Sequence, residues 1–576
     1  MVDTAPFTFQ ELILERSLDP ETRDRVMARL DDTRVTYGEY ARRAARFSHL
    51  MLEQGEAPQV AVLMQNRLEF LDAYGGAALS GGTLFGINTG LGGDVLRRVI
   101  ERSGASLVIV DEENRAAVDE IASRLEARVL CLGPELDAEL ARQPGEPPPL
   151  PAGLTMQTPW MVIYTSGTTG LPKGILNSHA KLRGIGMFVA NLAGMTNDDI
   201  GYISTPLFHS NAVFLNWLPA FSMGASVALR AKFTASGFFD DIVRYGATYW
   251  NYVGQPVHYV LEAVLGRCDG DEERVVEEVA GHPGNKLRFA YGTGASGAER
   301  ARFTRYFGVD HIYENYGSTE AEISTWCMPG NPIDSVGEVM DDAIFIMNEK
   351  GALCPPLRVD DADNPLNYAE AVGEIVRQGT TGRFSGYHDM PEATANKVQD
   401  GWYHSGDLGA IREIEGRRFL YFIGRTDDWI RKDGENFSAE SVVDMVKSFP
   451  ALDRAAAYGV PHPVSDEWVM VALRMKPGHD FDPKAFFDHC QAEVTRGRDR
   501  KWFPDVVRLV DEFPWTETWK IKVPELKQAF YHPDRARRVF LRRRGDRTFS
   551  PLGRAGFERL AAEFTATGRT ALIELR

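Results

Sequence analysis

Short apolar runs alternate with longer stretches of helical spacing through the first half of the chain. Residues 60–64 (Val-Ala-Val-Leu-Met) and 106–110 (Ser-Leu-Val-Ile-Val) read as buried strands, with an amphipathic helix at 94–102 between them. The alternation continues through the strand-like 225–229 and the helix-like 298–307. Strands that take turns with helices predict layered, parallel α/β structure. Positions 202–229 contain no Asp, Glu, Lys or Arg and are long enough to span a bilayer. His209, Asn211, Asn216, Pro219 and Gly224 interrupt that run, so it predicts a buried strand-helix-strand unit and not a transmembrane segment.

The pattern changes near Gly424-Arg425-Thr426-Asp427-Asp428, just after a hairpin-like 413–421. Beyond it lie helical spacing at 440–449 and 484–493 and strand-like runs at 455–458 and 469–475, a compact α+β unit. The expected domains are therefore 1–424 and 425–576, the fold class being α/β with a small α+β unit behind it. The Pro/Gly-rich 143–151 reads as a surface loop.

A chain of 576 residues is too long for one core. Hydrophobic residues at 44% and charged residues at 25% describe an ordinary globular protein. A net charge of −17 argues against nucleic acid as the main partner, whose affinity rests on Lys and Arg neutralising phosphates. Cys131, Cys268, Cys327, Cys354 and Cys490 are scattered, without a CxxC pair or a His at metal-ligand spacing, and fit free thiols in a reducing cytoplasm. The N-terminus shows no basic region followed by an apolar core, so no secretory signal is expected. Arginines clustered between 535 and 544 read as a solvated face, with a CoA-phosphate or lipid-headgroup patch as the alternative. A cytoplasmic location follows, with peripheral membrane contact left open.

The candidate chemistry begins at Tyr164-Thr165-Ser166-Gly167-Thr168-Thr169-Gly170-Leu171-Pro172-Lys173-Gly174. Glycines permit close backbone approach, successive amides form an anion-binding concavity, and Lys173 adds a point charge, a combination suited to a polyphosphate. The lysine spacing is not that of the P-loop NTPases. A second string, Tyr313-Glu314-Asn315-Tyr316-Gly317-Ser318-Thr319-Glu320, offers rings for stacking, an amide for a base edge, and a hydroxyl and carboxylate for Mg²⁺. In a third, Trp402-Tyr403-His404-Ser405-Gly406-Asp407, the carboxylate suits two ribose hydroxyls, and Arg425 suits ribose or phosphate. The fourth is Pro514-Trp515-Thr516-Glu517-Thr518-Trp519-Lys520.

In this order, from Tyr164 to Lys522, the strings resemble the signature motifs of the adenylate-forming superfamily, which holds acyl-CoA synthetases, peptide-synthetase adenylation domains and luciferases. Tyr249-Trp250-Asn251-Tyr252-Val253-Gly254-Gln255, Gly434-Glu435-Asn436-Phe437-Ser438 and Arg547-Thr548-Phe549-Ser550-Pro551-Leu552 look closest to its very-long-chain acyl-CoA synthetase and fatty-acid-transport-protein branch. Trp519 stands where glycine is frequent, and Asp433 where those relatives often carry lysine.

The resemblance implies a large N-terminal domain of layered sheets and helices, with a small mobile C-terminal domain over its cleft. It implies a ligase that uses ATP and Mg²⁺ to join a carboxylic acid to CoA through an acyl-adenylate. Thr165, Ser166, Gly167, Thr168, Thr169, Gly170 and Lys173 would hold phosphates, and Glu320 with Thr168 would hold Mg²⁺. Gly294, Ala295, Ser296, Asn315, Tyr316, Gly317 and Thr319 would surround the adenylate, with Asp407 and Arg425 at the ribose. Lys520 would bridge the substrate carboxylate and α-phosphate, Asp427 would be the hinge, and Thr165, Glu320 and His209 join Lys520 as catalytic candidates. His209, Phe208, Tyr252, Gly254, Tyr291 and Gly292 would border the acid, a fatty, branched or steroid side-chain acid. The rival readings are a fatty-acid binding or transport protein with a vestigial nucleotide site, and an adenylating enzyme with another acceptor. Neither nucleic acid nor a membrane span belongs to the expected partners.

Overall fold

The computed structural model describes residues 8–165, 171–361, 363, 365–432, 435–464, 467–496, 498–516 and 520–573. Contacts divide the chain into two compact units, 1–338 with 379–403, and 339–378 with 404–576.

The first unit is built on two sheets. One is 8-stranded, in the order Ser324–Cys327, His311–Gly317, Phe289–Thr293, Tyr249–Val253, Ile200–Ile203, Ser226–Leu229, Val26–Leu30 and Thr33–Thr36. It is parallel except for its two edge strands, which run antiparallel. The second is 6-stranded and orders Arg128–Cys131, Leu107–Val110, Gln59–Leu63, Thr83–Gly86, Pro159–Thr165 and Lys173–Ser178. Leu107–Val110 is buried along its whole length, as a strand covered on both faces requires. The predicted helix at 94–102 spans Gly93–Ser103, buries Leu96, Val99 and Ile100, and ends at Gly104 with φ 64°, a left-handed position that glycine adopts without strain.

The uncharged 202–229 run folds as anticipated from its polar interruptions. It runs from the strand Ile200–Ile203 through the helical turns Ser210–Ala212, Val213–Trp217 and Leu218–Met223 to Ser226–Leu229. Trp217 is fully buried, and Asn216 spends its amide on the Tyr202 carbonyl (3.1 Å) and on Asn251 Oδ1 (2.8 Å). Among the described residues no helix is long and apolar enough to cross a membrane.

The second unit contains, from residue 404 on, the long hairpin Trp402–Ile414 and Arg417–Arg425, paired from Asp407 opposite Arg425 to Ile414 opposite Arg417 with a one-residue register shift between Leu408 and Gly409. A 5-stranded sheet follows, ordered Leu452–Pro461, Glu467–Met475, Val506–Leu509, Val539–Leu541 and Ser550–Pro551. Helix Ala439–Val446 packs Val442, Met445 and Val446 into a core with Val469, Val471 and Phe486.

Candidate active site

Strands Pro159–Thr165 and Lys173–Ser178 pair antiparallel, so Thr165 sits opposite Lys173 and donates to its carbonyl at 3.4 Å. The predicted phosphate-loop residues Ser166, Gly167, Thr168, Thr169 and Gly170 lie outside the described residues; the strands that deliver both ends of the loop do not. Lys173 Nζ stands 5.2 Å from the centre of the Tyr387 ring, a cation–π distance. The Tyr387 hydroxyl donates to Glu320 Oε1 at 2.6 Å. Lys173 and Glu320, far apart in sequence, thus meet through a tyrosine that the motifs did not single out. Tyr387 is held there by an antiparallel bridge to Ile175, and the next amide, His388 N, donates to Gly174 O at 2.7 Å. The only local signal is a turn glycine before it, Gly386, with φ 101°.

Glu320 is 6% exposed. Burial acts to raise its pKa, but Lys397 and hydrogen bonds from Tyr387 and Ser318 outweigh burial and hold the carboxyl below its usual range. Beside it, the buried Lys181 donates Nζ to the Thr319 carbonyl at 2.7 Å. Burial lowers the Lys181 pKa to about 7, while Glu320 and Glu322 oppose the fall. Thr319 Oγ1 donates to Ser210 Oγ at 3.2 Å, which joins the 319–320 turn to the segment that follows His209. His209 caps the helical turn Ser210–Ala212, its ring 4.7 Å from that of Phe208. For Mg²⁺ the donor chemistry fits: Glu320 offers an ionised, hard carboxylate, and this ion favours one or two carboxylates supplemented by phosphate oxygens. Among the described residues no group of three or more His, Cys, Asp or Glu gathers as a protein-only cage.

Three neighbouring parallel strands, Tyr249–Val253, Phe289–Thr293 and His311–Gly317, deliver the next group of candidates at their carboxyl ends, where open parallel sheets bind ligands. Here the backbone is crowded. A Cβ on Gly254 would lie 1.9 Å from the Gly294 carbonyl oxygen, and one on Gly292 would lie 2.3 Å from the Tyr252 carbonyl oxygen. Gly294 adopts φ 88°. The turn is fixed by Glu314, 3% exposed, whose carboxylate accepts from Gly294 N, from Ala295 N at 3.3 Å and from the Tyr252 hydroxyl at 2.7 Å. Burial outweighs those three donors and pushes Glu314 up to about 7. The sequence displayed Glu314 inside its second string without revealing this task, because a strand glutamate carries no mark of the backbone it faces.

Ser296 is engaged in the capping box of helix Gly297–Phe307 with Glu299. Asn315 donates to Thr325 O at 3.2 Å; Tyr316 is buried; Gly317 is exposed at the strand end opposite Ser324. Of the residues expected beside the acid, Phe208, Tyr252 and Tyr291 are buried in the hydrophobic cores, and the Tyr291 hydroxyl donates to Val189 O at 2.8 Å.

In the second unit Arg425 Nε lies 3.5 Å from Asp407 Oδ1. The Lys520 amide donates to Thr516 Oγ1 at 3.0 Å, and the Lys520 carbonyl accepts from Thr516 N at 2.8 Å. Lys520 is exposed as a residue, yet the surroundings of its ammonium lower its pKa, desolvation first and Arg425 next, against the opposing pull of Asp407 and Asp428. Lys520 therefore shares a neighbourhood with the Asp407–Arg425 pair. Asp427 falls within the short turn Thr426–Asp428 that follows the long hairpin.

The sequence model described as AMP-binding enzyme matches residues 14–388. The chain belongs to the AMP-binding enzyme family. Its relatives within that family include a medium/long-chain-fatty-acid–CoA ligase of Mycobacterium marinum, 34% identical over 82% of this chain and 86% of that protein. A steroid-22-oyl-CoA synthetase of Rhodococcus jostii is 32% identical over 89% of this chain and 90% of its own. Long-chain fatty acid transport protein 1 of Rattus norvegicus is 29% identical, with 84% of this chain and 77% of that protein covered. The AMP-binding enzyme fold is shared with an anthranilate CoA ligase solved in complex with anthranoyl-AMP, at a TM-score of 0.77 and 19% identity over 91% of this chain and 98% of that one.

Proposed function

We propose that the chain is an ATP-dependent carboxylic acid–CoA ligase that activates a fatty or other apolar acid, steroid side-chain acids included, as an acyl-adenylate and passes the acyl group to CoA, releasing AMP and pyrophosphate. The observation that carries this reading is the link from Lys173 through Tyr387 to Glu320: a phosphate-seeking cation, on the strand that follows the glycine-rich string in sequence, and an ionised carboxylate meet through one tyrosine. The names of the relatives, two of them CoA ligases or synthetases, support the thioester as product.

A carboxylate is a poor acyl donor because oxide would have to leave. Attack of its oxygen on the α-phosphorus of ATP forms the mixed anhydride and breaks the bond to pyrophosphate. Such a step is accelerated chiefly by positioning and preorganised positive charge. In this reading Lys173 holds the outer phosphates and the Gly292–Ser296 turn faces the adenylate. Asp407 accepts from ribose hydroxyls with Arg425 beside it, and Lys520 brings positive charge to the carboxylate and α-phosphate. Mg²⁺, when bound with ATP beside Glu320, neutralises charge on the phosphates. For the second step the segment beyond Asp427 rotates and withdraws Lys520, and the CoA thiolate attacks the acyl carbonyl, expelling AMP. His209 and Phe208 stand at the acid's side of the site.

The test is pyrophosphate release from Mg-ATP with a panel of fatty, aromatic and steroid carboxylic acids, with and without CoA, each mixture checked by mass for acyl-CoA. Acid-dependent release with thioester is the expected result. Release without thioester would replace CoA by another acceptor, and silence across the panel would leave a binding protein.

A further inference from the structure

At the edge of the 8-stranded sheet, where the hairpin Val26–Leu30 and Thr33–Thr36 leads into helix Tyr37–Leu52, an open surface cavity of about 240 Å³ is lined by the exposed Arg34, Glu39, Arg42 and Arg46 and by Arg43. Arg43 is committed to Asp72 (2.6 Å) and Glu69 (3.4 Å). Glu39 spends its carboxylate on the helix start, accepting from Thr36 N at 2.8 Å. Among the described residues Arg34, Arg42 and Arg46 have no carboxylate partner.

Two features show that this cluster is uncompensated. Arg34 lies directly opposite Arg29 in the hairpin, and like charges in cross-strand positions repel. Arg29 Nε is buried without a hydrogen-bond partner, and burial, with Arg34 second, makes Arg29 less basic than usual. Arg42 and Arg46 repeat the arrangement one helical turn apart, where like charges also repel. The chain as a whole carries a net charge of −17, so its composition does not account for a cationic hollow.

The free guanidinium groups define the chemistry of the guest. A carboxylate has two oxygens to offer, a phosphate monoester three, and a guanidinium fork pairs with phosphate in bidentate fashion. The volume falls below the roughly 300 Å³ at which pockets for drug-sized molecules begin, which suits a phosphate and its immediate attachment. The cavity is also remote from the adenylation chemistry. Thr33–Thr36 is six strands from His311–Gly317 in the same sheet, about 29 Å at roughly 4.8 Å per strand.

We propose that this arginine-lined cavity is a second anion site, which holds a phosphate group carried by a soluble phosphate ester or by an anionic lipid headgroup.

The test uses the full chain at fixed ionic strength, comparing wild type with an R34Q/R42Q/R46Q variant and with R124Q/R305Q/R559Q, which loses the same charge at exposed positions elsewhere. Acid-dependent pyrophosphate release and the melting temperature verify folding; R42Q alone, on the exposed face of the helix, serves if the triple variant does not fold. Inorganic phosphate is titrated in the presence of saturating AMP, and co-sedimentation is measured with phosphatidylcholine vesicles with and without phosphatidic acid. A tenfold or greater loss of phosphate affinity confined to the cavity variant, with vesicle binding unchanged, supports the site with a soluble ester as its guest. The same confined loss toward phosphatidic acid vesicles supports it with a lipid guest. Equal binding of both probes by wild type and cavity variant overturns the proposal, and so does an equal loss in the control variant.

Discussion

Replacing Gly254 by alanine tests whether the crowded turn at 292–296 is a working part of the site. An ideal Cβ at Gly254 would stand 1.9 Å from the Gly294 oxygen and 2.4 Å from its carbonyl carbon. Close carbon–oxygen contacts between backbones begin at about 3.3 Å, so the turn must retreat by about 1.4 Å. It has little freedom to do so, because Glu314 grips it through Gly294 N and Ala295 N and Gly294 already sits at φ 88°. A misplacement of about 1 Å is worth roughly 100-fold in rate, or about 2.7 kcal/mol in the barrier. Acid-dependent pyrophosphate release in Gly254→Ala is therefore expected to fall about 100-fold. Gly266→Ala is the control, since it lies in the same helix, Gly254–Arg267, and a Cβ there meets nothing within 4 Å. Helix propensity alone makes that change neutral or stabilising. If Gly254→Ala releases pyrophosphate at the rate of the control with an unchanged melting temperature, the turn does not position the nucleotide and the argument from crowding fails.

Four further outcomes follow, two from the geometry of Glu314 and Tyr387 and two from the proposed roles of Lys520 and Asp427. In Glu314→Gln the pH dependence of stability changes: the folded carboxyl titrates at about 7 against an ordinary 4.5, so the stabilisation is present below pH 4.5 and lost as pH rises through 7. At about 1.4 kcal/mol per pH unit, urea unfolding at pH 5 and pH 8 should show wild type losing about 3 kcal/mol relative to the variant; a difference that does not vary with pH would refute the assignment. Tyr387→Phe keeps the ring over Lys173 but removes the 2.6 Å bond to Glu320. A bond to a charged group contributes about 1.5–3 kcal/mol, so the Mg²⁺ concentration for half-maximal pyrophosphate release should rise roughly 10- to 100-fold, and an unchanged requirement counts against the link. Lys520→Ala should slow adenylation several hundred-fold, about 3–4 kcal/mol, while ATP binding by calorimetry persists; near-normal pyrophosphate release contradicts its role. Asp427→Pro should retain the first half-reaction and lose thioester formation, whereas equal loss of both argues against a hinge there.

The layered α/β pattern was legible because burial on both faces leaves a plain trace, as in the apolar 106–110, and because a half-buried helix such as Gly93–Ser103 repeats its apolar residues every turn. The uncharged 202–229 run was readable from its polar residues, and the buried amides of Asn216 and Asn251 now account for two of the hydrogen bonds there. The likeness to fatty-acid transport proteins, carried by strings such as 249–255, agrees with the relatives found. What stayed illegible is long-range. Tyr387 reaches Glu320 only because its segment pairs with Ile175, and Lys181 meets the Thr319 carbonyl through the packing of helix His179–Leu192. Gly254 and Gly292 were read as lining for an acid, whereas their lack of a side chain is required first by the backbones of Gly294 and Tyr252.

Glu314 and Glu320 lie on one strand and the turn that follows it, both almost wholly buried, yet their surroundings separate them electrostatically. At Glu314 burial prevails over three donors and the acid reaches about 7; at Glu320 Lys397, Tyr387 and Ser318 prevail over burial and the acid stays ionised. Near neutral pH, therefore, only one of the two holds a full negative charge at all times. A divalent cation seeks a charged hard oxygen and gains little from a carboxyl that keeps its proton half the time, while a scaffold that must grip backbone amides in a dry interior avoids a permanent desolvated charge by titrating there. Of the two carboxyls, Glu320 is therefore the one whose ionised state suits a divalent cation under the proposed function, while Glu314 is engaged by the turn amides.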